Sequence, residues 1–210
     1  CRKRIANCIN AKTDEIYFTS CGTESDNWAL KGTAFQLKEK GNHIIVSSIE
    51  HHAILNTCKF LETIGFEITY LPVNEYGEVT VDSLKNAIKD NTILISIMLV
   101  NNELGTIQNI KQLCKIAHEK NILFHTDAVQ AVWHIPVDVM DLNVDMLSCS
   151  GHKFNGPKGI GFLYVKNGIT IHPLLHGGQQ EKNMRAGTEN IPLIVGMTTA
   201  LEEHVKSFSK

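Results

Sequence analysis

The chain has 210 residues, 43% of them hydrophobic and 20% charged, with a net charge of -2. That is the profile of one ordinary globular domain with a sizeable core, so collagen, coiled coil and intrinsic disorder are excluded. There is no basic excess to draw in nucleic acid or an anionic membrane, and no apolar run approaches the ~20 residues of a membrane span.

In chain order, residues 15–20 read as a strand. Residues 24–40 read as a helix stopped by Gly41-Asn42, and residues 43–48 as a strand. A helix over 53–64 ends at Gly65, a strand follows over 66–71, and 72–77 is a loop. Residues 82–89 form a helix with Asp82 as its N-cap. The nearly continuous apolar run 92–100 (TILISIMLV) predicts a strand buried on both faces. A helix over 110–120 and strands over 122–126, 146–149 and 161–165 come next, and a long helix opens at 191 and runs to 210. Strand–helix alternation at this rhythm implies βαβ units: an α/β fold with a mainly parallel sheet flanked by helices. Binding residues then belong just past the C-terminal ends of strands.

Three strand ends are unusually polar. Thr19–Ser25 (TSCGTES) has a glycine and hydroxyls where a helix begins; it reads either as a phosphate cup built on free amides or as a simple N-cap by Thr23 or Ser25. Asp127, in HTDAVQ (125–130), reads either as a helix cap or as a carboxylate facing a cationic ring nitrogen. Lys153 sits in SGHKFNGPKGIG (150–161), a glycine-rich turn between apolar strands. A solvated loop lysine is the bland reading; an amine that condenses with an aldehyde is the chemical one. Together the three describe a cofactor with a phosphate, a protonated ring nitrogen and an aldehyde, which is pyridoxal phosphate (PLP). The six cysteines (1, 8, 21, 58, 114, 149) include no C-x-x-C pair, so no metal centre is expected, and they suit free thiols of a reducing compartment.

The strings TSCGTESDN (19–27), EHHAIL (50–55), VNNELG (100–105), HTDAVQ (125–130), SGHKFNGPKGIG (150–161), HGG (176–178) and RAGTEN (185–190) follow one another across nearly the whole chain. In this the chain resembles the cysteine desulfurases, a class V branch of the fold-type I PLP enzymes. The resemblance implies that Lys153 matches the lysine that carries the cofactor, Asp127 the carboxylate on the pyridine nitrogen, and His51 the histidine stacked on the ring. Gln130 and Asn102 match contacts near the phenolic oxygen and the substrate. The Gly22 backbone, Thr23, Ser150 and His152 match the phosphate cup. Thr188 matches a residue that reaches the phosphate of a partner subunit, which implies a homodimer. The implied activity removes sulfur from L-cysteine, giving L-alanine and an enzyme persulfide for an iron–sulfur scaffold or another acceptor. Lys153 and His51 would be the catalytic side chains.

The family's Gly-Ser-Ala-Cys nucleophile segment, its N-terminal Asn-Ala-Thr-Thr-like segment and its substrate-carboxylate arginine have no counterpart here. Cys21 is nearest the chemistry by motif but does not match that nucleophile. The expectation is therefore a large PLP-binding domain over 1–190, incomplete at its N-terminus. Residues 191–210 would start the helix leading to a small C-terminal domain. Such a piece would need the rest of the protein for turnover. Selenocysteine lyase, another class V enzyme, and a non-catalytic partner of an intact desulfurase are the alternatives. The expected compartment is cytosolic, or an organellar matrix.

Overall fold

In the computed structural model, which describes residues 1–207, seven strands form one sheet in the order β1-β7-β6-β5-β4-β2-β3. The strands are β1 (Ile16–Thr19), β2 (His43–Ser47), β3 (Glu67–Leu71), β4 (Thr92–Ser96), β5 (Leu123–Asp127), β6 (Met146–Ser150) and β7 (Gly161–Val165). β3, β2, β4, β5 and β6 are mutually parallel, and β7 runs antiparallel to both of its neighbours. The helices are α1 (Arg2–Cys8), α2 (Gly22–Leu37), α3 (His52–Thr63), α4 (Val81–Ala87), α5 (Ile110–Glu119), α6 (Val139–Leu142) and α7 (Ile191–Ser207).

Every residue of β2, β4, β6 and β7 is buried, which is why their sequences are mainly apolar rather than alternating, with the few polar side chains at the strand ends and at Ser148. Successive side chains still go to opposite faces. Ile44, Val46 and Leu94 pack with Trp28 and Leu30 of α2 and with Ile54, Cys58 and Leu61 of α3. Ile45 and Ile95 join the opposite core with Ile5 of α1, Leu84 of α4, Leu113 of α5, Val139 of α6, and Met197 and Leu201 of α7. α7 therefore shares its core with the sheet, while residues 208–210 of the expected helix lie outside the described residues.

Several boundaries differ from expectation. α4 is capped by Thr80, whose hydroxyl accepts the Ser83 amide at 3.1 Å; Asp82 lies inside the first turn. The strand expected over 92–100 ends at Ser96. Beyond it, the amides of Ile97 and Leu99 still reach the carbonyls of His125 and Asp127, and Val100 bridges to Ile107. The apolar run thus becomes a loop that leaves the sheet. α1 and α6 are unanticipated. α6 is a single turn whose N-cap, Asp138, accepts the amides of Met140 and Asp141 at 2.8 and 2.9 Å.

Candidate active site

The C-terminal ends of β1, β2, β4, β5 and β6 meet at one edge of the sheet. Thr19 and Ser150 both pair with Gly161, so the start of antiparallel β7 lies at the same edge. A β-carbon on Gly161 would sit 2.5 Å from the Cys149 carbonyl oxygen and 2.9 Å from the carbonyl carbon of Cys21. Glycine there lets the entry to α2 lie directly on the sheet. Gly22 serves the same end, since its β-carbon would meet Val129 Cγ2 at 2.6 Å and Ser150 Cβ at 3.3 Å.

The N-cap of α2 is Cys21, whose side chain makes no capping bond. The first ladder bond runs from the Ser25 amide to the Cys21 carbonyl at 3.2 Å, so the amides of Gly22, Thr23 and Glu24 precede the ladder at the positive end of a 16-residue helix. Capping by Thr23 or Ser25 is not what the structure shows: Ser25 Oγ is engaged by Thr19 Oγ1 at 2.8 Å and lies 3.3 Å from the Cys21 carbonyl oxygen. Ser150 and His152 line the same cavity, with Ser150 Oγ 2.9 Å from His152 Nδ1.

Asp127 closes β5 and is buried. Its Oδ1 accepts the Val129 amide at 2.8 Å. Burial pushes its carboxyl above the ordinary range, against the pull of the Val129 amide and the charge of Lys153. A buried carboxylate held by one backbone amide suits a cationic ring nitrogen. Lys153 follows β6 on a 3-10 turn, Gly151–Phe154, closed by Asn155 in the left-handed region at φ 59°. The turn is pinned by the Gly156 amide on the Gly151 carbonyl at 3.0 Å, an approach with no room for a β-carbon on Gly156.

His51 is the N-cap of α3, with Nδ1 accepting the Ala53 amide at 3.1 Å, which leaves Nε2 as the protonated nitrogen of the neutral ring. The two asparagines of VNNELG divide their work. Asn101 is buried, donates to the Ile49 carbonyl at 2.9 Å and accepts the amides of Glu103 and Leu104, and so holds the loop. Its neighbour Asn102 lines the cavity.

The cavity has a volume of about 310 Å³. Lys153, His51, Gly22, Thr23, Asn102, Asp127, Gln130, Ser150 and His152 all line it. Thr188 does not: it is exposed, on the 185–190 loop. That loop is tied to the cavity rim by Arg185, whose Nε and Nη2 donate to the Glu24 carboxylate at 2.7 and 3.0 Å. Glu24 also accepts the Ser20 amide. Burial opposes ionisation of Glu24, yet the hydrogen bonds from Arg185 and Ser20 hold its carboxyl below the ordinary value. The preceding turn has three consecutive non-glycine residues at positive φ, Glu181, Lys182 and Asn183 (44°, 59° and 65°). Arg2 grips the buried Glu181 in a two-pronged pair at 2.6 and 2.7 Å, and Lys182 reaches the Asp14 carbonyl.

Cys21, Asp26, Met98 and Val129 also line the cavity and were not among the expected site residues. All six cysteines are unpaired thiols. Burial pushes Cys58 and Cys114 up to about 12, and Cys149 well above its ordinary value, so these three are inert at neutral pH. None of the three borders the cavity. Among the described residues, no helix is long and apolar enough to cross a membrane.

The family model described as aminotransferase class V matches residues 1–208. The chain belongs to the aminotransferase class V family. It is 63% identical over 201 residues to the cysteine desulfurase IscS of Methanosarcina thermophila, an alignment covering 96% of this chain and 50% of that protein. A solved structure titled NifS-like protein superposes with a TM-score of 0.96 at 44% identity, covering 99% of this chain and 57% of that one. A second, titled SspA in complex with cysteine, gives 0.94 at 49% identity, with 97% and 59% covered. The chain spans about half the length of the curated relatives it matches.

Proposed function

We propose that residues 1–190 are the PLP-binding large domain of a cysteine desulfurase, with the helix from 191 leading toward a second, smaller domain. The observation that carries this reading is the meeting, in one cavity, of a lysine, a buried carboxylate and the open amides of a helix N-terminus. The residues fit the group. The α2 amides and Ser150 and His152 would hold its phosphate. Asp127 would accept the ring N–H, and His51 would flank the ring. Gln130 and Asn102 would contact its phenolic oxygen and the substrate. Bound PLP supplies an electron sink for charge that develops at the substrate α-carbon.

The chain's own residues do the remaining work. Lys153 Nζ would hold the cofactor and would move a proton at the substrate α-carbon. His51 takes part in proton transfer through Nε2. L-cysteine is the substrate, by likeness to the IscS and NifS-like relatives. The persulfide-forming thiol must be exposed and ionisable, which the buried Cys58, Cys114 and Cys149 are not. Of the others, Cys1 and Cys8 do not border the cavity and Cys21 does not match the family's nucleophile, so in this reading the thiol is supplied from outside residues 1–210, and a sulfur-acceptor protein such as an iron–sulfur scaffold receives the product. Thr188, exposed on the loop that Arg185 tethers, would serve the phosphate of a second subunit in a homodimer.

The test is a visible spectrum of the 210-residue chain with PLP, before and after borohydride, beside Lys153→Ala. A chromophore fixed to the wild-type chain and missing from the variant supports the reading; equal, reversible binding by both sinks it. Sulfide release from L-cysteine by the full-length protein then tests the substrate.

A further inference from the structure

Asp26 lies in the second turn of α2, in the wall of the cavity, with its side chain only 2% exposed. Its Oδ1 has no hydrogen-bond partner. The nearest base is His125 Nε2 at 3.8 Å, but that imidazole is no cation. His125 is fully buried, its nitrogens are 2.8 Å from Ser96 Oγ and 2.9 Å from Ser148 Oγ, and burial holds it down to about 3. The other titratable groups facing Asp26 are also acids: Asp127 from β5, Glu50 from the loop before α3, and the Cys21 thiol at the start of its own helix. The cationic group of the site, Lys153, acts on Asp127.

Two carboxyls therefore share one cavity wall, and Asp127 has the stronger support for a charge. Asp127 has the Val129 amide and the charge of Lys153; Asp26 has the Ser148 hydroxyl, and its Oδ1 has nothing. Simultaneous ionisation of both is disfavoured.

We propose that Asp26 and Asp127 act as one pair holding a single proton, with Asp26 the positioning residue that keeps that proton so that Asp127 is the charged member facing the cavity. The pair then presents one negative charge, the match for one ring N–H. This role rests on the PLP reading, but the shared proton does not. Asp127→Asn removes the charged member, whereas Asp26→Asn imitates the protonated one in shape and charge.

The experiment compares wild type, Asp26→Asn and Asp127→Asn as the 210-residue chain. Because Glu50 also holds a proton at neutral pH, the infrared comparison is made in a Glu50→Gln background: without cofactor, a protonated-carboxyl band should be present in that protein and absent once Asp26→Asn is added. An acid that stays protonated in the fold but ionises when unfolded loses stability as pH rises. The thermal midpoint of Asp26→Asn should therefore gain on wild type from about pH 5 to about pH 8. Glu50 titrates alike in both proteins and cancels. With cofactor, Asp26→Asn should retain PLP within a few-fold of wild type. Asp127→Asn should lose affinity by about 10- to 100-fold, as expected when a charged hydrogen-bond partner is removed. An Asp26 that merely fills space would give a midpoint difference flat with pH and the same infrared band in both proteins, and that result overturns the proposal. Should the Asn variant not fold, the Glu50→Gln protein decides: absence of its protonated-carboxyl band at neutral pH is equally fatal. If the band and the pH slope appear but no protein takes up PLP, the pair stands and the cofactor reading falls.

Discussion

Gly22→Ala tests whether the α2 entry is as tightly seated as its geometry implies. The added β-carbon would lie 2.6 Å from Val129 Cγ2 and 3.3 Å from Ser150 Cβ, whereas carbon atoms prefer roughly 3.5–4.0 Å. Val129 is β-branched and stiff, so relief requires movement of α2 or of the loop after β5. Overpacking of this kind costs about 1–3 kcal/mol. Helix propensity works the other way, favouring alanine by up to about 1 kcal/mol in a helix interior and by less in the first turn. The expected net loss is about 1–2 kcal/mol, a fall in the thermal midpoint of roughly 2–8 °C for a chain of this size. Urea unfolding of the cofactor-free chain measures it. Val129→Ala removes the opposing methyl groups, so the double variant should be more stable than the sum of the singles by about 1 kcal/mol. PLP binding should weaken in Gly22→Ala and recover in the double variant. Strict additivity, or a single-variant loss below about 0.5 kcal/mol, would refute the claim that glycine is needed for close approach.

Arg2→Met should destabilise the fold by about 3 kcal/mol, because it leaves the Glu181 carboxylate buried with only the Phe18 amide as partner. It should also speed proteolysis at the left-handed turn 181–183; a loss below about 1 kcal/mol in urea would speak against the clamp. Glu50→Gln should stabilise the protein in a pH-dependent way. Burial pushes Glu50 up to about 8 from an ordinary 4.5, so between those values the folded state holds a proton that the unfolded chain has released. Wild-type stability should fall across that window, and the variant should pull ahead by about 2–5 kcal/mol above pH 8, a gap read from urea midpoints at a series of pH values. A constant gap from pH 4 to 9 would mean that Glu50 is ionised in the fold.

The sheet was legible because its strands are apolar runs bounded by clear helix stops, and the site was legible because three polar strand ends share one edge. α1 and α6 were not. α1 begins as a basic run, with only Ile5 and Ala6 buried, so its apolar side is too short to show a period. α6 is one turn, marked only by its Asp138 cap. Asp26 escaped notice for a different reason. On a helix it reads as a solvated carboxylate, and its burial is decided by strands β5 and β6, more than 90 residues further along the chain. The available signal was the polar crowd Thr23–Asn27, too dense for a helix that also buries Trp28, Ala29 and Leu30.

The tether between Glu24 and Arg185 has a consequence for the order of events during synthesis. The two residues are 161 positions apart. At about 5–20 residues per second, the ribosome releases the second roughly 10–30 s after the first. Throughout that interval Glu24 has no guanidinium, Asp127 and Lys153 arrive in turn, and the rim of the cavity stays unlatched. The rim of the cavity is therefore closed by one of the last segments of these residues to be made, after every side chain that lines the cavity has been synthesised.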